Sequence, residues 1–201
     1  MKNTEEILII GCGAIAHEIN EIIKLNNWEN VQLQCLNAEL HNRPEKLPKK
    51  IKFVIDSNSD KYSKIFLAYA DCGTGGLIDS MLKDYKIERL KGAHCYEFFA
   101  GNDLFSKLSE EEPGTFYLTD FLTKNFERLV VRGLKLDQHP ELIESFFGNY
   151  KRVIYLVQSS NSELTELAMG IADYLGLEFE ERLTGFGDLE RSLGQKIFAT
   201  S

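Results

Sequence analysis

Short apolar runs and longer stretches of helical spacing take turns along this chain, and their alternation predicts the architecture. Residues 7–10 are an apolar run, Gly11-Cys12-Gly13 follows, and residues 14–25 repeat apolar positions at helical spacing. That is the pattern of strand, tight turn and amphipathic helix. Residues 31–36 read as a second strand. Leu47, Ile51, Val54 and Ile55 then fall on one helical face, with Pro48 tolerated in the first turn. Residues 65–70 (IFLAYA) suit a buried strand, 73–76 a turn and 77–85 a helix, a weak echo of the N-terminal arrangement. Residues 87–90 suit a fourth strand, opening at Gly92 into HCYEFFAG and a short helix capped by Asn102 or Asp103.

From 112 to 150 the spacing turns helical. Phe121, Leu122, Phe126, Leu129 and Val130 share a face, and Pro140 starts a second helix carrying Leu142, Ile143, Phe146 and Phe147. Residues 153–157 return to strand, residues 164–175 keep a helical stripe that Gly176 should end, and residues 177–183 suit a last strand before a C-terminal helix. Strands alternating with helices imply crossovers and a parallel sheet covered on both faces. The expectation is a single α/β domain over residues 1–201, a doubly wound, mostly parallel sheet of five or six strands, with an all-helical insertion at 112–150.

Composition narrows the partners. With 23 basic against 31 acidic residues the net charge is -8, and the scattered Lys and Arg do not form the patch that nucleic acid requires. A small molecule is the expected partner, with a homo-oligomer as a further option and no nucleic acid. No apolar stretch approaches the roughly 20 residues of a membrane helix, and MKNTEEILII lacks the basic flank and apolar region of a signal peptide. A cytoplasmic protein with no membrane partner is expected. In a reducing compartment the four cysteines read as buried thiols, metal ligands or reactive groups rather than two disulfides.

Open parallel sheets bind ligands beyond the carboxyl ends of their strands, where helix N-termini offer free N–H groups. Those ends carry Gly11-Cys12-Gly13, Asp71-Cys72-Gly73-Thr74-Gly75-Gly76, Gly92-Ala93-His94-Cys95-Tyr96-Glu97 and Gln158-Ser159-Ser160-Asn161. Three of the four cysteines thus fall in one predicted crescent. A soft divalent ion such as zinc or iron takes three or four Cys and His ligands, so Cys12, Cys72, His94 and Cys95 are the candidate metal ligands. Adjacent His94 and Cys95 would both bind only in a distorted turn. Cys35 lies within a strand and is expected to face the core.

His41, in Leu40-His41-Asn42-Arg43-Pro44, is a candidate general base or fourth ligand. Asn42 and Arg43 beside it can grip a carboxylate or phosphate, and Gly73, Thr74 and Gly75 offer turn donors for the same anion. Asp71 and Glu97 are candidates to orient a histidine or move a proton, their plainer role being to cap helices. His17 and His139 read as surface or capping residues, and Tyr96, Phe98 and Phe99 as core. Gly11-Cys12-Gly13-Ala14-Ile15-Ala16 matches the glycine-rich turn of a dinucleotide fold with alanine in the third small position, but no acidic residue closes the second strand at the expected place for a ribose hydroxyl, Glu39 being only a late candidate.

At GCGAIAHEI, LHNRPEKLP, YADCGTGG, GAHCYEFFAG, EPGTFYLTDFL and LDQHPEL the chain resembles a bacterial and archaeal family of unknown function often found near corrinoid-dependent methylamine methyltransferases. The likeness spans nearly the whole chain. It groups Cys12, His41, Arg43, Asp71, Cys72, His94, Cys95 and Glu97 as one site and implies a role around methyl transfer or cofactor handling. The corrinoid-binding pattern D-x-H-x-x-G is absent, so no cobalamin is expected on this chain. Three readings stand: a zinc or iron enzyme or accessory protein acting on a small thiol or methylated substrate, a metal-free module that binds a small anion or nucleotide, and a redox protein with an iron-sulfur cluster.

Overall fold

The computed structural model describes residues 6–198. The described residues divide into two compact units, residues 6–95 with 189–198, and residues 96–188.

The first unit is built on β1 (Ile7–Cys12), every residue of which is buried. A single 3-10 turn leads into α1 (Ala16–Leu25), followed by β2 (Val31–Leu36), α2 (Leu47–Asn58), β3 (Lys64–Ala68) and α3 (Leu77–Leu82). The strands are parallel in the order β2-β1-β3. The apolar run of β1 suits a central strand covered on both faces, and α1 turns Ile19 and Ile22 inward while α2 buries Leu47, Ile51, Val54 and Ile55. Because β2 lies to one side of β1 and β3 to the other, the strand order reverses between β1 and β3. Their carboxyl ends form a topological switch point, the place where open α/β sheets leave a crevice.

The second unit comprises α4 (Tyr96–Ala100), α5 (Asn102–Glu111), β4 (Thr115–Thr119), α6 (Asp120–Phe126), which runs on into a π-helical turn at Glu127–Val131, α7 (Leu142–Phe147), β5 (Arg152–Val157), α8 (Ser162–Leu175) and β6 (Glu178–Leu183). Its strands are also parallel but in the unreversed order β4-β5-β6. Helix α8 starts where the Asn161 side chain accepts from the amides of Glu163 and Leu164, and Gly176 ends it in the left-handed region at φ 70°. Leu164, Ala168, Ile171 and Leu175 pack from α8 against Leu118, Val153, Tyr155 and Val157 of the sheet. Full burial of each large apolar side chain here contributes about 1.5–3 kcal/mol. The ends of this unit are pinned together. The Asp188 amide donates to the Phe98 carbonyl at 2.8 Å, and Gly187, at φ 53°, lies so close to the Phe98 and Phe99 carbonyls that a Cβ would strike them.

The chain then returns to the first unit as α9 (Leu189–Phe198). Phe198 meets the Trp28 ring edge-on at 5.0 Å, and the Lys64 ammonium donates to the Ile197 carbonyl.

Two expectations are corrected. The parallel α/β class stands, but the strands make two three-stranded sheets instead of one of five or six. Residues 87–90 supply only a single bridge among the described residues, Leu67 with Arg89. And the segment 112–150 is not all helical. It contains β4, whose Thr-Phe-Tyr-Leu-Thr sequence is rich in β-branched and aromatic residues, and the strand was hidden because the helical stripe of α6 begins at the very next residue.

Candidate functional site

Four loops meet at the carboxyl edge of the first sheet. An added Cβ at Gly13, in the turn after β1, would lie 3.1 Å from the Leu36 carbonyl oxygen, so glycine lets that turn seat against the end of β2. A Cβ at Gly73 would reach Pro44 at 3.9 Å, which sets the 71–76 loop beside the loop carrying His41 and Arg43. The amides of Asp71 and Cys72 donate to the Gly92 and Ala93 carbonyls at 3.0 and 2.8 Å, joining the 71–76 loop to the segment that ends in His94 and Cys95. The His41 and His94 rings stand 6.5 Å apart, centre to centre.

The 71–76 loop is held in an unusual backbone. Cys72 is left-handed at φ 51°, as are Gly73, Gly75 and Gly76. A left-handed side-chain-bearing residue costs about 1–2 kcal/mol, so something must hold it there. Asp71 does. Its carboxylate accepts from the Thr74 hydroxyl at 2.7 Å and from the Gly75 and Gly76 amides at 2.9 and 2.8 Å. Desolvation would raise its pKa, but the bonds from Thr74, Gly76 and Gly75, with Arg89 nearby, outweigh that and hold the carboxyl below its ordinary value. The turn donors expected to receive a substrate anion are thus largely occupied by the chain's own carboxylate, and Asp71 acts as the latch of the loop.

Behind the loop lies sulfur. Cys12 and Cys72 are buried and Cys95 half-buried. Burial raises all three thiol pKa values, Cys72 to about 12, and each of Cys72 and Cys95 is raised further by the field of Cys12. Cys95 also feels Cys72 and the buried carboxyl of Glu18, which α1 turns inward. The Cys12 sulfur caps the turn by accepting from the Ala14 amide at 3.5 Å. Tyr69, 2% exposed, lies against Cys12 with its hydroxyl in no hydrogen bond of ordinary geometry. Glu18 and Tyr69 were not legible as site residues: one falls within a helical stripe and the other within an apolar strand, and neither has a distinguishing spacing.

The remaining candidates fall around this cluster or away from it. His41 is exposed by area, yet its imidazole pKa is lowered, first by local desolvation and then by His94. Asn42 and Arg43 are exposed, and the Arg43 guanidinium makes no hydrogen bond or ion pair among the described residues. Cys35 is exposed on the edge strand β2, not core-facing, and burial around its sulfur, with Cys12 beyond, pushes it up to about 11. Glu97 stands on α4, in the second unit. His17 and His139 are exposed, His139 beside Glu141 at 3.2 Å. Among the described residues no three His, Cys, Asp or Glu side chains stand in a metal-holding arrangement, so a metal here would have to draw the side chains in by rotation.

Residues 35–193 match the model of a family described as "Protein of unknown function (DUF1638)". The chain belongs to this family. The matched span takes in His41, Arg43, the 71–76 loop, His94 and Cys95, and leaves Cys12 outside, with β1 and α1. No curated protein and no solved structure matches the chain.

Proposed function

We propose that the first unit is a metal-binding enzyme or accessory module whose cluster of Cys12, Cys72, Cys95 and His94 takes a zinc or iron ion, with His41 as base or further ligand and Arg43 facing a small anionic substrate. What supports this reading is that Cys12, Cys72 and Cys95 stand on three segments at one edge of the sheet, at a topological switch point, with the His41 and His94 rings 6.5 Å apart at the same edge. Thiols gathered away from water oppose one another's ionisation, and a divalent cation is what makes such a set favourable as thiolates. The donor chemistry, three thiols with imidazole, suits a soft or borderline ion. Arg43 supports an anionic partner, because an exposed and uncommitted fork beside a site is suited to a carboxylate or phosphate. The likeness to proteins found near corrinoid-dependent methylamine methyltransferases adds a setting in which a metal could hold a small thiol as thiolate for methylation.

The test is metal analysis with an absorption spectrum on tag-free protein purified without chelator or added metal. Close to one metal per chain is expected, falling to a small fraction in Cys72→Ser. Full metal content in that variant would remove Cys72 from the site, and visible colour with acid-labile sulfide would replace the single ion by an iron-sulfur cluster. A folded, metal-free protein that still binds phosphate after chelation would favour the anion-binding module.

A further inference from the structure

A second feature lies wholly within the other unit and owes nothing to the thiol cluster. An open groove of about 590 Å³ runs between α8 and the α6–π segment, with Phe126, Val131, Leu167, Ile171 and Tyr174 along it and Gly170 at a gap in its wall. The groove exists because α8 has two apolar stripes. One, Leu164, Ala168, Ile171 and Leu175, is spent on the core. The other, Leu167, Gly170 and Tyr174 at steps of three and four, faces outward, with Leu167 54% and Tyr174 45% exposed. A Cβ added at Gly170 would meet nothing within 4 Å, so the missing side chain leaves open space rather than room for a neighbouring element.

The rim is acidic. Glu127, Glu163 and Glu166 edge the groove. Glu127 shares its charge with Arg132 at 3.2 Å, while Glu163 and Glu166 have no ion pair among the described residues. A second copy docking by the same face would set these carboxylates against their own counterparts, which like-charge repulsion disfavours. We propose that this groove receives a basic amphipathic helix of a partner protein, its apolar face laid along Phe126, Leu167 and Tyr174, one side chain filling the gap at Gly170, and its Lys or Arg flanks meeting Glu163 and Glu166. Helix α8 has 14 residues, about 21 Å at the α-helical rise, so the occupant is a helix of about four turns. Helix-in-groove recognition reads i, i+3, i+4 and i+7 anchors of this kind.

The probe is a fluorescent 16-residue helical peptide with leucines on one face and lysines flanking them, titrated into the full-length protein by anisotropy at two salt concentrations. Three variants report on the groove. Gly170→Leu fills the gap with a better helix former, Glu163→Lys/Glu166→Lys reverses the rim, and Glu29→Lys/Asp60→Lys makes the same change of net charge in the other unit. Saturable, salt-sensitive binding that weakens about tenfold or more in the first two variants and less than twofold in the third is the expected result. Equal weakening in both charge variants, or unchanged binding in Gly170→Leu, would reduce the effect to the protein's overall charge and overturn the proposal. Sedimentation of the same proteins covers the other occupant: a wild-type dimer that Gly170→Leu dissolves would assign the groove to a second copy instead.

Discussion

The two sheets make a controlled comparison, since each has three parallel strands and each brings an aspartate to the carboxyl end of a strand. In the second unit Asp120 is 5% exposed and its carboxylate is fully committed. It accepts from the Tyr155 hydroxyl at 2.8 Å, the Gln158 amide at 3.0 Å, and the Ser159 amide and hydroxyl at 3.1 and 2.8 Å. The Gln158 side chain closes the circuit by accepting from the Asp120 amide and donating to the Leu156 carbonyl. At the same edge of the first unit, Asp71 is spent on its own loop, and the buried Tyr69 faces the Cys12 sulfur, with no oxygen or nitrogen partner for its hydroxyl among the described residues. The difference follows strand order. β4, β5 and β6 step steadily in one direction, whereas the reversal at β1 sends the chain to opposite sides of that strand and leaves a crevice at its carboxyl end, rimmed by the loops that meet there. A closed polar network stabilises, and an open cluster of unmatched groups is where a ligand can supply what is missing.

The sharpest way to break this contrast is Asp120→Ala. It strands two buried donors, the Tyr155 hydroxyl and the Gln158 amide, and frees the two of the exposed Ser159, and should cost about 3–5 kcal/mol, read as a drop in the urea midpoint. A cost under about 1 kcal/mol would mean that water already serves those donors. The tyrosines provide the next comparison. Tyr155→Phe removes a buried donor to a carboxylate and should cost about 1.5–3 kcal/mol, while Tyr69→Phe gives up only a weak contact with the Cys12 sulfur and should cost under about 1 kcal/mol. If the two substitutions cost the same, the crescent is as satisfied as the second unit and the case for a ligand there weakens. The smallest effect is the pH dependence of the Asp71 latch. Its folded pKa lies below the unfolded carboxylate value of about 3.9, so its contribution is complete above that pH and is lost as pH falls through the lower folded value. Asp71→Asn should therefore sit slightly below the wild type at neutral pH and converge with it below about pH 4. A gap that persists in acid would locate the effect in loop geometry rather than charge.

Much of the first unit could be read directly from its residues. The apolar run at β1, the second strand at 31–36 and the face of α2 all fall where the spacing put them, since each is governed by local periodicity. The meeting of the Cys12, Cys72 and His94-Cys95 loops was also legible, because strand ends in a parallel sheet share an edge. What sequence could not supply was pairing. Residues 65–70 and 153–157 look alike as apolar runs, and nothing local states that they join different sheets. Nor does a periodicity distinguish Glu18, turned inward on α1, from the exposed glutamates around it, or mark Asp120, whose meaning depends on Tyr155 and Ser159 more than thirty positions away.

The join between Asp188 and Phe98 bears on the order in which this chain folds. Helix α9 completes the first unit only after residues 96–188 have intervened, and bringing the ends of a flexible loop of that length together costs about 4 kcal/mol by the logarithmic loop-length term alone. Once the second unit has formed, its two ends are already fastened side by side, and the same docking closes only a few residues. The second unit is thus expected to act as a folding clamp for the first, one that a chain emerging from the ribosome meets just before the helix that needs it.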